Sequence, residues 1–141
     1  MLFASSSSAL AKGYESVGVR HAAQHVREAR RALQDAQRVL TATKHYEALY
    51  GVAVARWVWL SDDVGWPPET WPTLFMVIDR ESGGSPKALN ASSGAAGLMQ
   101  FLPQWYHGEW GYPAFDPFIP RKNLTAGRHL WGEEQWQPWA L

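Results

Sequence analysis

Cysteine is absent from the 141-residue chain, which excludes disulfide bonds, zinc–thiolate sites and thiol catalysis. An excess of charge is also lacking, because 13 basic and 13 acidic side chains cancel to a formal net charge of zero. The field of the whole molecule therefore does not favour nucleic acid or an anionic membrane. The apolar stretch 52–60 is too short for a bilayer and contains Arg56. We expect no nucleic-acid partner and no membrane span.

The start of the chain lacks two features of a signal peptide. Residues 1–11 are rich in small side chains, but they have neither a basic beginning nor a sustained apolar segment. We therefore expect no signal peptide at this position.

Proline and glycine are scarce in the first half of the chain. All nine prolines lie after Trp66, and Gly51 is the single glycine between Val19 and Val64. Both residues interrupt helices, so the first half is predicted to be helical and the second to consist of short elements joined by turns. The length suits one core with an appended element. We predict a mainly α fold, with a tail and long helical arm over residues 1–50 and a globular domain over residues 51–141.

The helical arm carries an apolar seam whose members alternate three and four residues apart. These are Val19, Ala22, Val26, Ala29, Leu33, Ala36 and Leu40. A frame shifted by one residue begins near residue 40, which predicts a bend or a change of packing partner. The seam either packs on its own domain or docks on other subunits. The second alternative predicts virion or self-assembly contacts through the 19–50 helix.

A second helix is predicted after the proline-rich break at residues 66–72. Thr70 is placed to cap it and Pro72 suits its first turn, while Gly83 and Gly84 follow its end. The helix Trp71–Ser82 is apolar on nearly all sides, which is typical of a buried central helix.

Glu81 stands at the end of this helix and is the candidate catalytic residue. A helix C-terminus carries partial negative charge, and a tryptophan-rich setting disfavours an ionised carboxylate. Both effects favour the protonated acid that a general acid must supply at neutral pH. The alternative is an exposed glutamate beside a glycine cap. Asp79 lies two residues away and points to another side of the helix, so the two do not form a carboxylate pair.

Two groups of residues resemble a known family. The first comprises Glu81-Ser82, Pro86, Gly94-Ala95, Gly97-Leu98-Met99-Gln100 and Pro103. The second comprises Asp116-Pro117, Asn123, Gly127 and Leu130. Together they resemble the soluble lytic transglycosylases, relatives of goose-type lysozyme, over residues 71–131. The closing Trp136-Gln137-Pro138-Trp139 is similar to the short resuscitation-promoting-factor branch of that superfamily.

The resemblance implies a lysozyme-like domain that cleaves the MurNAc–GlcNAc β-1,4 bond of peptidoglycan. Glu81 would protonate the leaving oxygen and then act as base while the sugar's 6-hydroxyl closes a 1,6-anhydro ring. This route needs no second carboxylate, and no cofactor or metal is expected. For a lysozyme-type hydrolase, Glu109 and Asp116 are candidate bases, although Asp116 before Pro117 also suits a helix N-cap. His21 and His25, one turn apart, lack a third metal ligand.

The sequence departs from the family pattern in three places. The loop before Gln100 is one residue longer, so the family's substrate-contacting serine maps to Asn90 or Ser92. Leu102 replaces a methionine. The later Ala-Tyr-Asn-Ala-Gly segment is missing, so either Tyr106 or Tyr112 orients the acid, or no tyrosine does.

Further candidates for substrate binding follow from the same resemblance and from the aromatic residues after a predicted helix at residues 97–100. Flat aromatic faces suit pyranose rings. We expect two of the five aromatics Trp105, Tyr106, Trp110, Tyr112 and Phe115 to line the cleft. The predicted substrate-binding set is Asn90, Ser92, Met99, Gln100, Leu102, Trp105 and Tyr112.

A wall-cleaving domain joined to a helical arm suggests a bacteriophage product, either a lysis enzyme or a virion part. Its expected partners are peptidoglycan glycan strands, and its expected location is the virion or the bacterial cell wall and periplasmic face. The alternative function is a non-catalytic structural or glycan-binding virion protein with a degenerate lysozyme-like domain.

Overall fold

The computed structural model describes the backbone of residues 6–141 and the side chains of residues 16–141. Its helices are α1 (Ser6–Tyr50), α2 (Val52–Ala55), α3 (Val58–Asp63), α4 (Trp71–Ser82), α5 (Pro103–Tyr106) and α6 (Pro120–Glu134), with 3-10 turns at Pro68–Thr70 and Gln137–Trp139. The described part contains isolated β-bridges but no strand. The predicted mainly α class and the long N-terminal helix are confirmed. Within residues 6–141, no helix has both the length and the hydropathy of a membrane span.

The chain forms two compact units, and the division between them falls inside α1. The first unit ends at Arg38 and the second is Val39–Leu141. The predicted division at residues 50 and 51 coincides instead with the end of α1. In the first unit the seam side chains are exposed, with Val19 at 68%, Val26 at 50% and Leu33 at 59%. The predicted tail residues 1–5 lie outside the described part.

The last turns of α1 belong to the core of the second unit. Tyr46 is buried, and its ring lies 4.5 Å from that of Phe75, between ring centroids. Val39, Ala42 and Tyr50 also pack on this core. The buried face thus follows the shifted frame, while Leu40 of the original frame stays exposed. The predicted slip near residue 40 is a change of packing partner within one helix.

Helix α4 occupies the predicted range and crosses the centre of the second unit. Leu74, Phe75, Val77 and Ile78 are fully buried. Thr70 is the N-cap residue of α4, as predicted, but its hydroxyl donates to the Pro67 carbonyl at 2.6 Å and makes no capping hydrogen bond to the helix. The 3-10 turn Pro68–Thr70 runs directly into α4, so Thr70 lacks the extended backbone that side-chain capping requires.

The segment 97–100 is a turn, so the predicted helix there is wrong. Ala96 pairs with both Leu89 and Phe101 in antiparallel bridges, and the chain reverses between them. Gly97 (φ 80°) and Gln100 (φ 52°) both have left-handed backbones, which a helix does not allow. A Cβ atom at Gly97 would lie 2.1 Å from the Pro117 carbonyl oxygen. The glycine therefore permits the close contact that fixes this turn.

Candidate active site

A cleft of ≈ 600 Å³ opens in the second unit beside the end of α4. Its walls come from α4, the turn at residues 99–102, α5, the end of α6 and the C-terminal turn. The lining residues are Arg80, Glu81, Met99, Gln100, Phe101, Leu102, Trp105, Trp110, Leu130, Glu134, Pro138, Trp139 and Ala140. The loop at residues 83–94 does not line the cleft.

Glu81 lines this cleft, and its side chain is 26% exposed. Its position follows from the left-handed Gly83 that ends α4 directly after Ser82. The Arg80 guanidinium donates from Nε and Nη2 to Glu81 Oε1, at 3.2 and 3.0 Å. Arg80 and Glu81 are adjacent in α4, and neighbouring helical residues usually point apart, so the sequence does not predict this contact.

Three of the predicted residues, Met99, Gln100 and Leu102, lie in the segment 99–102, which forms the wall opposite α4. Met99 is buried, and its N–H donates to Asn123 Oδ1 at 3.1 Å. Gln100 Nε2 donates to the carbonyls of Ala88 and Gly97, at 3.2 and 3.0 Å. The Gln100 amide therefore stabilises the turn itself, whereas Leu102 presents an exposed apolar surface to the cleft.

Two of the five candidate aromatics line the cleft, namely Trp105 and Trp110. Their rings meet edge to face, 5.8 Å apart at 82°. Trp105 is 8% exposed and is held in the core, whereas Trp110 is 54% exposed. The Trp110 ring is therefore the accessible aromatic surface of the cleft.

The remaining predicted residues lie outside the cleft. Tyr106 donates its hydroxyl to the Gly94 carbonyl at 2.8 Å. Tyr112 lines a separate depression of ≈ 300 Å³ beside Arg121. Burial raises the pKa of the Tyr112 phenol. Neither tyrosine is among the hydrogen-bonding partners of Glu81 within the described part of the chain.

Asn90 and Ser92 are likewise placed away from the cleft. Asn90 Oδ1 accepts from the N–H groups of Ser92 and Ser93, at 3.0 and 3.2 Å, in an exposed turn. An amide that closes its own turn is a local structural element. The structure therefore does not bring these two predicted residues to Glu81.

The two acids considered as hydrolytic bases also lie elsewhere. Neither Glu109 nor Asp116 lines the cleft. The expectation that Asp116 caps the following helix is wrong, because its Oδ1 accepts from Phe118 N–H at 2.9 Å and α6 begins only at Pro120. Pro117 lies in the turn that follows Asp116, whereas Pro120 is the first residue of α6, so the turn and the helix are separate elements.

Two parts of the cleft were not predicted from the sequence, namely Glu134 and the wall that the C-terminal turn forms, here called the C-terminal wall. Glu134, the last residue of α6, is the second carboxylate of the cleft. Trp139 is buried and donates from Nε1 to the Met99 carbonyl at 3.0 Å. Trp136 stacks on Trp66, with 5.7 Å between ring centroids. The Trp-Gln-Pro-Trp motif was the available signal, but its position beside Glu81 depends on contacts distant in sequence.

Residues 16–141 contain no cluster of three or more histidine, aspartate or glutamate side chains arranged to hold a metal ion. The cleft itself is lined by two carboxyl groups, one guanidinium and an aromatic wall. A carboxyl group beside an aromatic surface can transfer a proton to a bound sugar.

The family comparison agrees with this geometry. The model of the Transglycosylase SLT domain matches residues 67–133, a range that contains Glu81, the turn at residues 97–100 and most of α6. No curated protein and no solved structure matches the chain. The C-terminal wall, from Glu134 onward, lies beyond the matched range. Residues 67–133 therefore match the Transglycosylase SLT domain, and this match is consistent with the lytic transglycosylase and lysozyme-like superfamily.

Proposed function

We propose that the second unit cleaves the MurNAc–GlcNAc β-1,4 bond of peptidoglycan as a lytic transglycosylase, with Glu81 as the acid and base. The SLT domain supports a transglycosylase-type function on peptidoglycan. The observation that carries the proposal is the placement of Glu81, a candidate from sequence, in a cleft walled by Trp105 and Trp110.

The proposed reaction uses one carboxyl group twice. Protonated Glu81 donates to the glycosidic oxygen as the bond from C1 to that oxygen breaks. The resulting carboxylate then accepts the proton of the sugar's 6-hydroxyl, whose oxygen bonds to C1 and closes the 1,6-anhydro ring. Protons balance, and Glu81 returns to its starting form.

Digestion of purified peptidoglycan tests this assignment. The variant Glu81→Gln keeps the shape of the side chain but supplies no transferable proton, so we expect it to lose clearing in a zymogram. General acid catalysis contributes roughly 100- to 10,000-fold. Glu133→Gln is the matched control, because Glu133 pairs with His129 outside the cleft. Binding without clearing by the wild type would instead support the non-catalytic, glycan-binding alternative.

Lysozyme-type hydrolysis is a second candidate outcome because Glu134 also lines the cleft. A second carboxylate could activate water on the opposite face of the sugar ring. Mass spectrometry of the products separates the two outcomes. If the Glu134→Gln variant still releases products with anhydro ends, the lyase is supported. If the wild type releases products with reducing ends and Glu134→Gln does not, the hydrolase is supported.

We also propose that the chain is a bacteriophage product acting at the bacterial wall, as a lysis enzyme or a virion part, with α1 as its docking element. Support comes from the exposed seam residues Val19, Val26 and Leu33. An exposed apolar stripe on a helix is typical of a partner-binding surface.

A further inference from the structure

We propose that Arg80 is the positioning residue of this site and that it fixes the direction in which Glu81 presents its proton. The inference rests on the proposed function, because it assigns a role to the neighbour of the proposed acid. Arg80 lines the same cleft and is joined to Glu81 by two hydrogen bonds.

The bond pattern leaves one carboxyl oxygen for chemistry. Both Arg80 donors reach Oε1 of Glu81. Oε1 can accept these bonds whether the carboxyl group is ionised or protonated on its other oxygen. Oε2 is then the oxygen that carries the transferred proton. A two-point guanidinium contact restricts rotation of the carboxyl group more than a single bond would.

Arg80 is itself held by the C-terminal wall. Its Nη2 group also donates to the main-chain carbonyl of Trp139. The Trp139 indole is buried and donates to the Met99 carbonyl on the opposite wall, and its ring meets Phe101 edge to face at 6.3 Å. A continuous set of contacts therefore runs from Glu81 through Arg80 and Trp139 to the turn at residues 99–102.

The charged residues that line the cleft are Arg80 and Glu81 on α4 and Glu134 at the end of α6. Because Arg80 orients Glu81 and takes no part in the proton transfer, its removal should slow the reaction step more than it weakens glycan binding.

The decisive experiment compares Arg80→Met, Arg80→Gln and Arg80→Lys with the wild type for the rate of soluble-fragment release over a range of peptidoglycan concentrations. We expect the two neutral variants to lose at least tenfold in maximal rate, toward the ~100-fold that a misplacement of about 1 Å costs. The half-saturating concentration should change little, because a positioning residue acts on the reaction step. Arg80→Lys should also lose maximal rate, since lysine lacks the planar fork.

Arg121→Met is the matched control, because Arg121 forms an ion pair with Asp63 at 2.5 Å outside the cleft. It should leave the maximal rate and the half-saturating concentration unchanged. A wild-type maximal rate in Arg80→Met, or in Arg80→Gln if the first does not fold, would overturn the inference while the proposed function stands. Equal activity of wild type and Glu81→Gln would remove both.

Discussion

The charges next to Glu81 decide how the cleft can work at the level of single residues. Arg80 donates two hydrogen bonds to Oε1 of Glu81, which leaves Oε2 for the proton that general acid catalysis requires. In the proposed mechanism this contact decides which oxygen of the carboxyl group meets the glycan.

Trp110 gives a direct test of the aromatic wall. Replacing it with alanine removes an exposed ring that contacts Trp105, so glycan affinity should fall with little loss of stability. Loss of an aromatic contact costs about 0.5–1.5 kcal/mol, or up to roughly tenfold in affinity. Binding of insoluble peptidoglycan in a Glu81→Gln background measures it.

Trp105→Ala provides the contrast for that test, because Trp105 is buried. It should lower the free energy of unfolding by ~3–5 kcal/mol. Unchanged glycan binding in Trp110→Ala would show that Trp110 does not form part of the binding surface.

Tyr46 predicts a loss of stability at alkaline pH. Burial, and then the neighbouring Tyr50, raise the pKa of the Tyr46 phenol above its ordinary value of 10.0. In the unfolded chain the phenol ionises first, so stability falls as pH rises from about 10 through the higher folded value. Tyr46→Phe should reduce this fall. Melting temperatures measured across pH test this prediction, with Tyr112→Phe as a second variant of the same kind. An identical dependence of melting temperature on pH in Tyr46→Phe and the wild type would contradict it.

The sequence predicts Glu81 as a candidate acid but not what surrounds it. Glu81 stands out because a glutamate before two glycines at the end of an apolar helix is unusual. Its hydrogen-bonded neighbour Arg80 also contacts Trp139, 59 residues later in the chain, and local sequence does not encode a contact of that range. Asn90 and Ser92 are candidates from family spacing and Tyr112 from its aromatic ring. The Asn90 amide instead accepts from Ser92 N–H in an exposed turn, and the Tyr112 ring packs on Trp105.

At the scale of elements, α4 and the turn at residues 97–100 show what sequence can and cannot predict. Helix α4 matched its predicted bounds because proline and glycine mark both ends. The turn was predicted to be helical because its apolar residues resemble a short helix. Its actual form depends on Asn123 of α6, which is fully buried and accepts a bond from Met99 N–H. That partner is 24 residues away.

Asn123→Ala should therefore damage the turn. It removes the acceptor for Met99 N–H and the donor that bonds the Pro117 carbonyl at 2.9 Å. A buried group left without a partner costs about 1–3 kcal/mol, so we expect a loss of at least that size in denaturant unfolding. Asn90→Ala is the control, since its amide closes an exposed turn and should cost about 0.5–1 kcal/mol. Equal losses would contradict the account of the turn.

At the scale of the whole molecule, the two units divide the proposed work. The cleft and the SLT domain lie in Val39–Leu141, whereas the exposed seam lies mostly in the unit that ends at Arg38. The seam's exposure agrees with the docking alternative considered from sequence. Its periodicity alone did not distinguish that alternative from core packing, because both place apolar residues on one helix face.

The double variant Val26→Glu and Leu33→Glu tests self-association through the seam. Both side chains are exposed, so charge at these positions should leave the second unit folded and active. If a second copy covers the seam, light scattering should show a larger wild-type species that the variant reduces to a monomer. A monomeric wild type under the same conditions would contradict self-association and leave a different partner protein as the occupant.

The central claim is that Glu81 transfers the proton that breaks the glycan strand. Mass spectrometry of peptidoglycan treated with the wild type, Glu81→Gln and Glu133→Gln tests it most directly. The account predicts soluble fragments with 1,6-anhydro-MurNAc ends from the wild type and Glu133→Gln, and none from Glu81→Gln. Equal fragment release by wild type and Glu81→Gln, or no release by either, would contradict it.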